Sequence, residues 1–411
     1  MTEKAEVTPW EVSGDLQETD YSRIANQFGA KLIDESILKE IKEITGEIHP
    51  FLHYGIFFAH RDLDIILQNY RKGQPFYLYT GRGPSGNMHL GHLLPFMFTK
   101  WLQEKFNVDL LIQITDDEKY LFRDISEQEI GKLTRNNILD ILSLGFKPDK
   151  THIIVDTEQS GILYNQAVRV SRHITASTAK AVFGFTDSDS IGKYFFTSMQ
   201  AVPAFLISAL SGKNVRCLIP YAIDQDPHFK VARDVIPKLG YEKPSSIISK
   251  FIPSLKGSGK MSSSDMNSGI YLNDTPKEVR KKLMKYAFSG GRETAEQQRK
   301  YGANPDIDFA FNIYRMLEHD QKKIEDVYSR YKVGDILSGE VKQLAADTIS
   351  AFLETLKPAR EQAEKNFSEF MFNADDFRDL DIILQNYRKG QPFYLSQPGA
   401  QWFHLCQSLR T

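Results

Sequence analysis

The sequence predicts an α/β protein, a doubly wound parallel sheet followed by an all-α C-terminal segment. Three observations predict it. Apolar strand-like runs alternate with helical patterns between residues 76 and 155, and such alternation builds parallel βαβ units. A glycine-rich turn, Gly81-Arg82-Gly83-Pro84-Ser85-Gly86, joins the first of these runs to a helix. Strand signals vanish from about residue 307 onward, where 309–333 and 337–370 carry helical periodicity throughout.

The elements follow in order. Residues 34–45 place apolar side chains at helical spacing, with Asp34 or Ser36 as the cap. Residues 61–72 read as a second helix, stopped by Gly73. Residues 76–80 are a buried strand leading into the glycine turn. A helix then runs from about Gly91 to Phe106. Proline is tolerated in a helix's first turn, so Pro95 sets that start near Gly91. Further strands are expected at 108–115, 151–155 and 215–223, with helical patterns over 127–144.

The totals bound the rest. A chain of 411 residues exceeds one typical core, so two or three domains are expected. The formal net charge is −2, so a nucleic-acid partner would have to meet a local basic face. Cys217 and Cys406 fit no metal or CxxC spacing and suit a reducing compartment. The polar start MTEKAEVTPWEV has no apolar core of a signal peptide, and no apolar run approaches a membrane span.

One feature stands apart. Residues 61–78 read RDLDIILQNYRKGQPFYL, and residues 378–395 repeat the same letters. Diverged structural repeats do not stay identical, and no third copy makes a solenoid. The segment 376–411 is therefore expected to be an anomalous tail that packs poorly and whose removal leaves activity intact.

Two constellations carry chemistry. Met88-His89-Leu90-Gly91-His92 sits at the start of the helix after the glycine turn. A helix N-terminus presents unpaired N–H groups and a positive dipole end, which suits phosphate. Imidazoles there can donate to a phosphorus centre gaining negative charge; the plainer alternative is that they cap or pack. Gly257-Ser258-Gly259-Lys260-Met261-Ser262-Ser263-Ser264-Asp265 flanks one lysine with small residues. Its ammonium suits a pyrophosphate leaving group, and its hydroxyls suit oxygens once the loop closes; the alternative is a solvated linker. Among pocket candidates, Gln113 is an amide inside an apolar strand, and Tyr79 ends the preceding one. A buried amide needs partners, and a ligand at the carboxyl end of a parallel strand is a natural one. Glu118 suits an α-ammonium. Asp116 and Asp117 fit a metal pair or a helix cap equally, so no protein-bound metal is expected.

HxGH followed by KMSxS resembles the signature of class I aminoacyl-tRNA synthetases. The wider text, over 76–119, 183–193, 217–229 and 260–275, with 9–12 and 55–61 upstream, is similar to the eukaryotic and archaeal tryptophanyl-tRNA synthetase family. The likeness runs over roughly residues 8–372. Ser263 stands where the wider class has a second lysine, and the tail beyond about 375 matches nothing in the family. The resemblance implies a Rossmann-like catalytic domain at 61–265, with an interface region of a homodimer near 155–215. It also implies an N-terminal extension at 1–60, a connecting region at 266–306, and an all-α anticodon-binding domain at 307–375.

The same resemblance implies ATP-dependent activation of L-tryptophan, with Mg²⁺ accompanying ATP, and transfer to tRNA(Trp) in the cytoplasm. His89, His92 and Lys260 would be catalytic. Arg82, Gly83, Gly91, Lys119, Met261, Ser262 and Ser264 would join them around ATP. Tyr79 and Gln113 would bond the indole N–H. Thr115, Glu118, Gln200, Gln225 and Phe229 would complete the amino-acid site. Arg315, Lys322, Lys323, Arg330, Lys332 and Lys342, with Tyr314, Tyr328 and Tyr331 for stacking, offer an RNA face. Three alternatives stand beside this: a tyrosine-specific relative, a small-molecule nucleotidylyltransferase, and a non-catalytic paralogue free to lose the motif residues.

Overall fold

The structure, a computed structural model, describes residues 29–252, 254–257, 261 and 267–378, with Glu6, Val7, Val12, Ser13, Tyr21, Arg23 and Ala25. Its centre is one seven-stranded sheet. The strands are β1 (Lys31–Leu32), β2 (Phe57–Arg61), β3 (Phe76–Arg82), β4 (Leu110–Ile114), β5 (Thr151–Val155), β6 (Arg216–Ala222) and β7 (Ser245–Ser249), in spatial order β1-β2-β7-β6-β3-β4-β5. The five strands from β7 to β5 are parallel, and β2 and β1 extend the β7 edge antiparallel. The parallel part starts at β3, winds outward through β4 and β5, then recrosses to β6 and β7. The winding direction thus reverses between β3 and β6, where a crevice opens at the carboxyl ends of the strands.

Alternation along the strands divides two cores. Leu78, Leu110, Ile112 and Ile153 face one, and Tyr79, Leu111 and Ile154 face the other, as a period of two requires. The helices used below are α1 (Leu90–Phe106), α2 (Asp116–Phe122), α3 (Glu127–Leu142), α4 (Asp226–Val235), α5 (Pro276–Tyr286), α6 (Phe309–Leu317), α7 (Gln321–Val333) and α8 (Ser338–Lys365). The first core continues without a break from Ile37 through Leu90 and Ile112 to Ile349 and Phe370. The 28-residue α8 runs about 42 Å. It packs on α5 and α6 and reaches α3 beside the sheet, where Arg360 Nε donates to Asp140 at 3.1 Å.

Several expectations shift. The four expected strands are present: β3 runs on to Arg82, β5 keeps its expected bounds, and β4 and β6 are trimmed at both ends, but β1, β2 and β7 carry no clear strand signal. In β2 the sequence FFAHR ends in His60 and Arg61, and in β7 the sequence SSIIS hides two isoleucines among serines. Arg61 closes a strand; the helix begins at Leu63 after Asp62 in left-handed backbone, φ 55°. Helix α1 starts at Leu90, which makes Pro95 its sixth residue; the helix tolerates the proline one residue deeper than expected, just past the first turn. The expected helix 309–333 breaks after Leu317, and Asp320 recaps the chain by accepting from the N–H groups of Lys322 and Lys323.

Two of the three tyrosines proposed for RNA stacking are core residues. Tyr314 and Tyr331 are buried, and the Tyr331 hydroxyl donates to Asp308 at 2.8 Å. Arg315 lies over the Tyr54 ring at 4.7 Å, and Lys342 Nζ donates to the Ala287 carbonyl at 2.7 Å. Lys322, Lys323, Arg330 and Lys332 remain exposed. At the start of the duplicated tail, Phe377 is buried against His152, ring centroids 4.7 Å apart. Residues 379–411, which hold Cys406 and nearly all of the second copy, lie outside the described residues. Among the described residues no helix is long and apolar enough to cross a membrane.

Candidate active site

The crevice is built first from adjacent strand ends. β3 and β4 pair with Tyr79 opposite Leu111 and Gly81 opposite Gln113. The Tyr79 hydroxyl donates to Gln113 Oε1 at 2.5 Å, with the Gln200 carbonyl oxygen 2.9 Å from the same hydroxyl. Gln113 is 1% exposed, and its Nε2 donates to Asp156 Oδ1 and Oδ2 at 2.8 and 3.0 Å. Phe229, on α4, sets its ring edge-on to Tyr79 at 5.8 Å and stacks on Tyr221 at 4.5 Å.

The next wall comes from the start of α2. Thr115 Oγ1 donates to Glu118 Oε2 at 3.0 Å, and Lys119 Nζ pairs with Glu118 Oε1 at 2.7 Å. A Cβ at Gly83 would run into both Glu118 and Lys119, so the glycine turn is required for close approach. Asp116 does not cap its helix; its Oδ1 accepts from the Thr157 N–H at 3.1 Å, tying α2 to the end of β5. Asp117 accepts from the Glu118 N–H at 2.7 Å. Burial raises the Asp117 carboxyl to about 6 and holds Asp156 well above the usual carboxylate range.

The opposite wall is the N-terminus of α1. His89 is its N-cap residue, and its backbone N–H donates to His92 Nδ1 at 3.4 Å. The two imidazoles stack, centroids 3.5 Å apart and 22° between planes. Among the described residues neither ring nitrogen of His89 has a hydrogen-bond partner, and the residue is 2% exposed. Burial, with Arg82 adding repulsion, lowers its pKa to about 3, so the ring is neutral at pH 7. At Gly91 a Cβ would stand 3.2 Å from the His89 ring and 3.3 Å from Met261 Sδ. Arg82 is held by Asn137 Oδ1 at 3.3 Å and Ser85 Oγ at 3.1 Å. Burial lowers the Arg82 pKa to about 10, which leaves the guanidinium charged.

The HxGH turn meets the segment that follows the small-residue loop through backbone. Leu90 N–H donates to the Ile270 carbonyl at 2.9 Å, and Leu272 N–H donates to the Met88 carbonyl at 3.1 Å. Met261 is buried against the HxGH turn. Lys260, Ser262 and Ser264 lie outside the described residues.

All these walls enclose one cavity of about 500 Å³. Tyr79, Gln113, Thr115, Glu118, Gln200, Gln225 and Phe229 line it, and so do Arg82, Gly83, His89, Gly91, His92, Lys119 and Met261. The strand ends thus face an aromatic and amide-bearing pocket, while the helix start faces a cationic and imidazole-bearing one. Sequence reasoning missed Asp156, Arg123, Phe196 and His228. Of the last three, each lines the cavity. An acid directly after a buried strand, as Asp156 follows Val155, was the available signal. Arg123, directly after α2, and His228, on α4, stand where the sequence gives no mark of the cavity.

The chain matches the family model for class I tRNA synthetases (W and Y) over residues 71–354. It is 47% identical over 382 residues to the cytoplasmic tryptophan–tRNA ligase of Saccharomyces cerevisiae, covering 89% of this chain and 88% of that one. It is 44% identical over 376 residues to the tryptophan–tRNA ligase of Saccharolobus solfataricus, covering 91% and 97%. Its fold matches the crystal structure of a tryptophanyl-tRNA synthetase from Encephalitozoon cuniculi bound to tryptophan, with a TM-score of 0.81 at 38% identity over 87% of this chain and 98% of that one.

Proposed function

The chain belongs to the class I tRNA synthetases of the tryptophan and tyrosine group, and from that premise we infer its activity. It is a tryptophan–tRNA ligase, which joins L-tryptophan to ATP and passes the aminoacyl group to tRNA(Trp). The relatives carry that activity by name. The observation that supports the site assignment is the single cavity with Gln113 and Tyr79 at one wall and His89 and His92 at the other.

In the first step a tryptophan carboxylate oxygen forms a bond to the α-phosphorus of ATP. The α–β phosphoanhydride bond breaks, and pyrophosphate leaves with the electron pair. No covalent nucleophile is required from the protein, whose work is positioning and stabilisation of charge. Tyr79 and Gln113 take the indole N–H, Phe229 lines the ring, and Glu118 takes the α-ammonium, with Thr115, Gln200 and Gln225 around it. His89, His92, Arg82 and the backbone at Gly83 and Gly91 meet the nucleotide. Lys119, Lys260, Met261, Ser262 and Ser264 close over its phosphates. ATP arrives with Mg²⁺ on those phosphates. In the second step a ribose hydroxyl at the tRNA 3′ end attacks the acyl carbon and AMP leaves.

The exposed cations of α7 support binding of an anticodon stem on the helical part. Exposed Tyr164 (57%), Val168 and Ile191 (87%) on the helices Ser160–Ser171 and Ile191–Met199 support a homodimer interface within 155–215. A cytoplasmic location is supported by the labels of relatives. ATP–pyrophosphate exchange with each amino acid tests the activity. Exchange should depend on tryptophan and fall by at least about 10²-fold with tyrosine; exchange driven by tyrosine, or by none, overturns it.

A further inference from the structure

We propose that Asp156 is a positioning residue for amino-acid selectivity: it locks the Gln113 amide with its oxygen toward the cavity, so the site offers the indole N–H an acceptor. This rests on the reading of Gln113 as an indole-binding residue.

A side-chain amide is nearly symmetric in shape, so only its partners decide which end is nitrogen. Gln113 stands near the end of β4 with its amide between two groups. On one side the Tyr79 hydroxyl has a single proton, given to Oε1 at 2.5 Å. That partner alone does not fix the amide, because a hydroxyl oxygen accepts from an N–H as readily as it donates. On the other side the Asp156 carboxyl offers both oxygens to Nε2 at 2.8 and 3.0 Å. A flipped amide would set Oε1 against two carboxyl oxygens in a buried place, where unpaired acceptors are costly. Asp156 therefore chooses the rotamer.

Asp156 is itself fixed. It is 1% exposed, its backbone N–H donates to the Ile114 carbonyl at 3.1 Å, and its carboxyl is hydrogen-bonded to that of Asp117. Asp117 in turn accepts from the Glu118 N–H. The carboxyl pair of buried Asp156 and half-buried Asp117 thus joins the amide that faces the ring to the segment that carries Glu118. A proton shared between Asp156 and Asp117 leaves an Asp156 oxygen free to accept from Gln113, and asparagine reproduces that arrangement. Its Nδ2 donates to Asp117 and its Oδ1 accepts from Gln113.

The test compares pyrophosphate exchange with L-tryptophan and with 3-(benzothiophen-3-yl)alanine, in which sulfur replaces the indole N–H. The readout is the ratio of the two kcat/KM values, with KM for ATP as control. Gln113→Ala should lower the preference for tryptophan about tenfold, the size of one hydrogen bond. Asp156→Ala should lower it by a similar factor with KM for ATP unchanged, and Asp156→Asn should keep it. Asp156→Leu, which fills the volume, replaces the alanine variant if that one melts below the assay temperature. If Gln113→Ala leaves the preference intact, the reading of Gln113 fails and the proposal with it. If Gln113→Ala lowers the preference but removal of the Asp156 carboxyl does not, the proposal alone fails. A uniform loss in Asp156→Ala and Asp156→Asn, with KM for ATP raised, marks a structural role and also overturns it.

Discussion

The backbone N–H of Leu90 donates to the carbonyl of Ile270 at 2.9 Å. This bond fastens the start of α1 to the strand-like segment that follows the small-residue loop. The return bond from Leu272 to Met88 completes a short antiparallel bridge centred on His89 and Tyr271. Met261 packs beneath it against Gly91. The imidazole pair therefore sits on a platform held by backbone hydrogen bonds. His92→Ala should slow tryptophan-dependent pyrophosphate exchange by about 10²–10³-fold, the loss expected when a donor to developing charge is removed. The KM for tryptophan should stay within about threefold, because the lost contact acts in the transition state. An unchanged exchange rate would refute a catalytic His92.

Gly83 tests the geometry of the other wall. A methyl group there meets the Glu118 carboxylate and the end of Lys119. Lys119 can swing away, but Glu118 is held by Thr115 at 3.0 Å. Gly83→Ala should displace the carboxylate and lower kcat/KM for tryptophan about tenfold or more, since small misplacements of bound groups are costly. The melting temperature should move little, because the turn is at the cavity surface. Steady-state exchange kinetics beside a thermal melt check both halves.

The parallel strands and the motif residues were legible because their signals are local. An apolar run bounded by glycine marks β3, and a glycine–histidine turn marks the start of α1. The antiparallel edge was not legible, because β2 and β7 take their stability from neighbours far away in sequence. Phe57 pairs with Ser249, and Arg61 with Ser246, and no local alternation announces those partners. Arg61 looked like the first residue of a helix and is a buried strand end. Asp156 was missed for a related reason. Its importance comes from Gln113 and Asp117, two residues brought to it by the parallel pairing of β4 with β5. Tyr314 and Tyr331 erred the other way: aromatic residues on a basic helical stretch suggested stacking, while helical spacing placed them in the core.

Arg61 carries the next prediction. Its guanidinium reaches Asp226 Oδ1 at 2.5 Å and Oδ2 at 3.0 Å, and donates to the Tyr221 hydroxyl at 2.9 Å. The Tyr221 hydroxyl donates to Asp226 in turn, and its ring backs Phe229. Arg61→Met leaves a buried carboxylate without its cation, which typically costs about 3–5 kcal/mol. The double variant Arg61→Met with Asp226→Leu should recover part of that loss, since no uncompensated charge remains. Urea unfolding of the parent, the single and the double variants decides it. A double variant no more stable than the single one would mean that the pair is not a charge-compensating unit.

His49 ties stability to pH. Its Nδ1 accepts from the Phe51 N–H at 3.1 Å, capping the short helix Pro50–His53, and its ring is enclosed by Phe51, Phe98 and Trp101. Burial lowers its pKa to about 4. A folded-state value below the unfolded one means that the unfolded chain binds the proton more readily. The contribution is therefore complete above about pH 6.5 and is lost as pH falls toward 4, at up to about 1.4 kcal/mol per pH unit. Asp117 works in the opposite sense. Its raised pKa of about 6 favours the folded state at low pH and ceases to do so as pH rises through that value. The total pH profile is thus a sum of opposing protons, and only a substitution isolates one of them. His49→Asn keeps a side-chain acceptor at the cap and removes the titration. Between pH 7 and pH 5 the variant should lose about 1–2 kcal/mol less unfolding free energy in urea than the parent does. Equal losses would mean that the ring already accepts a proton in the folded protein.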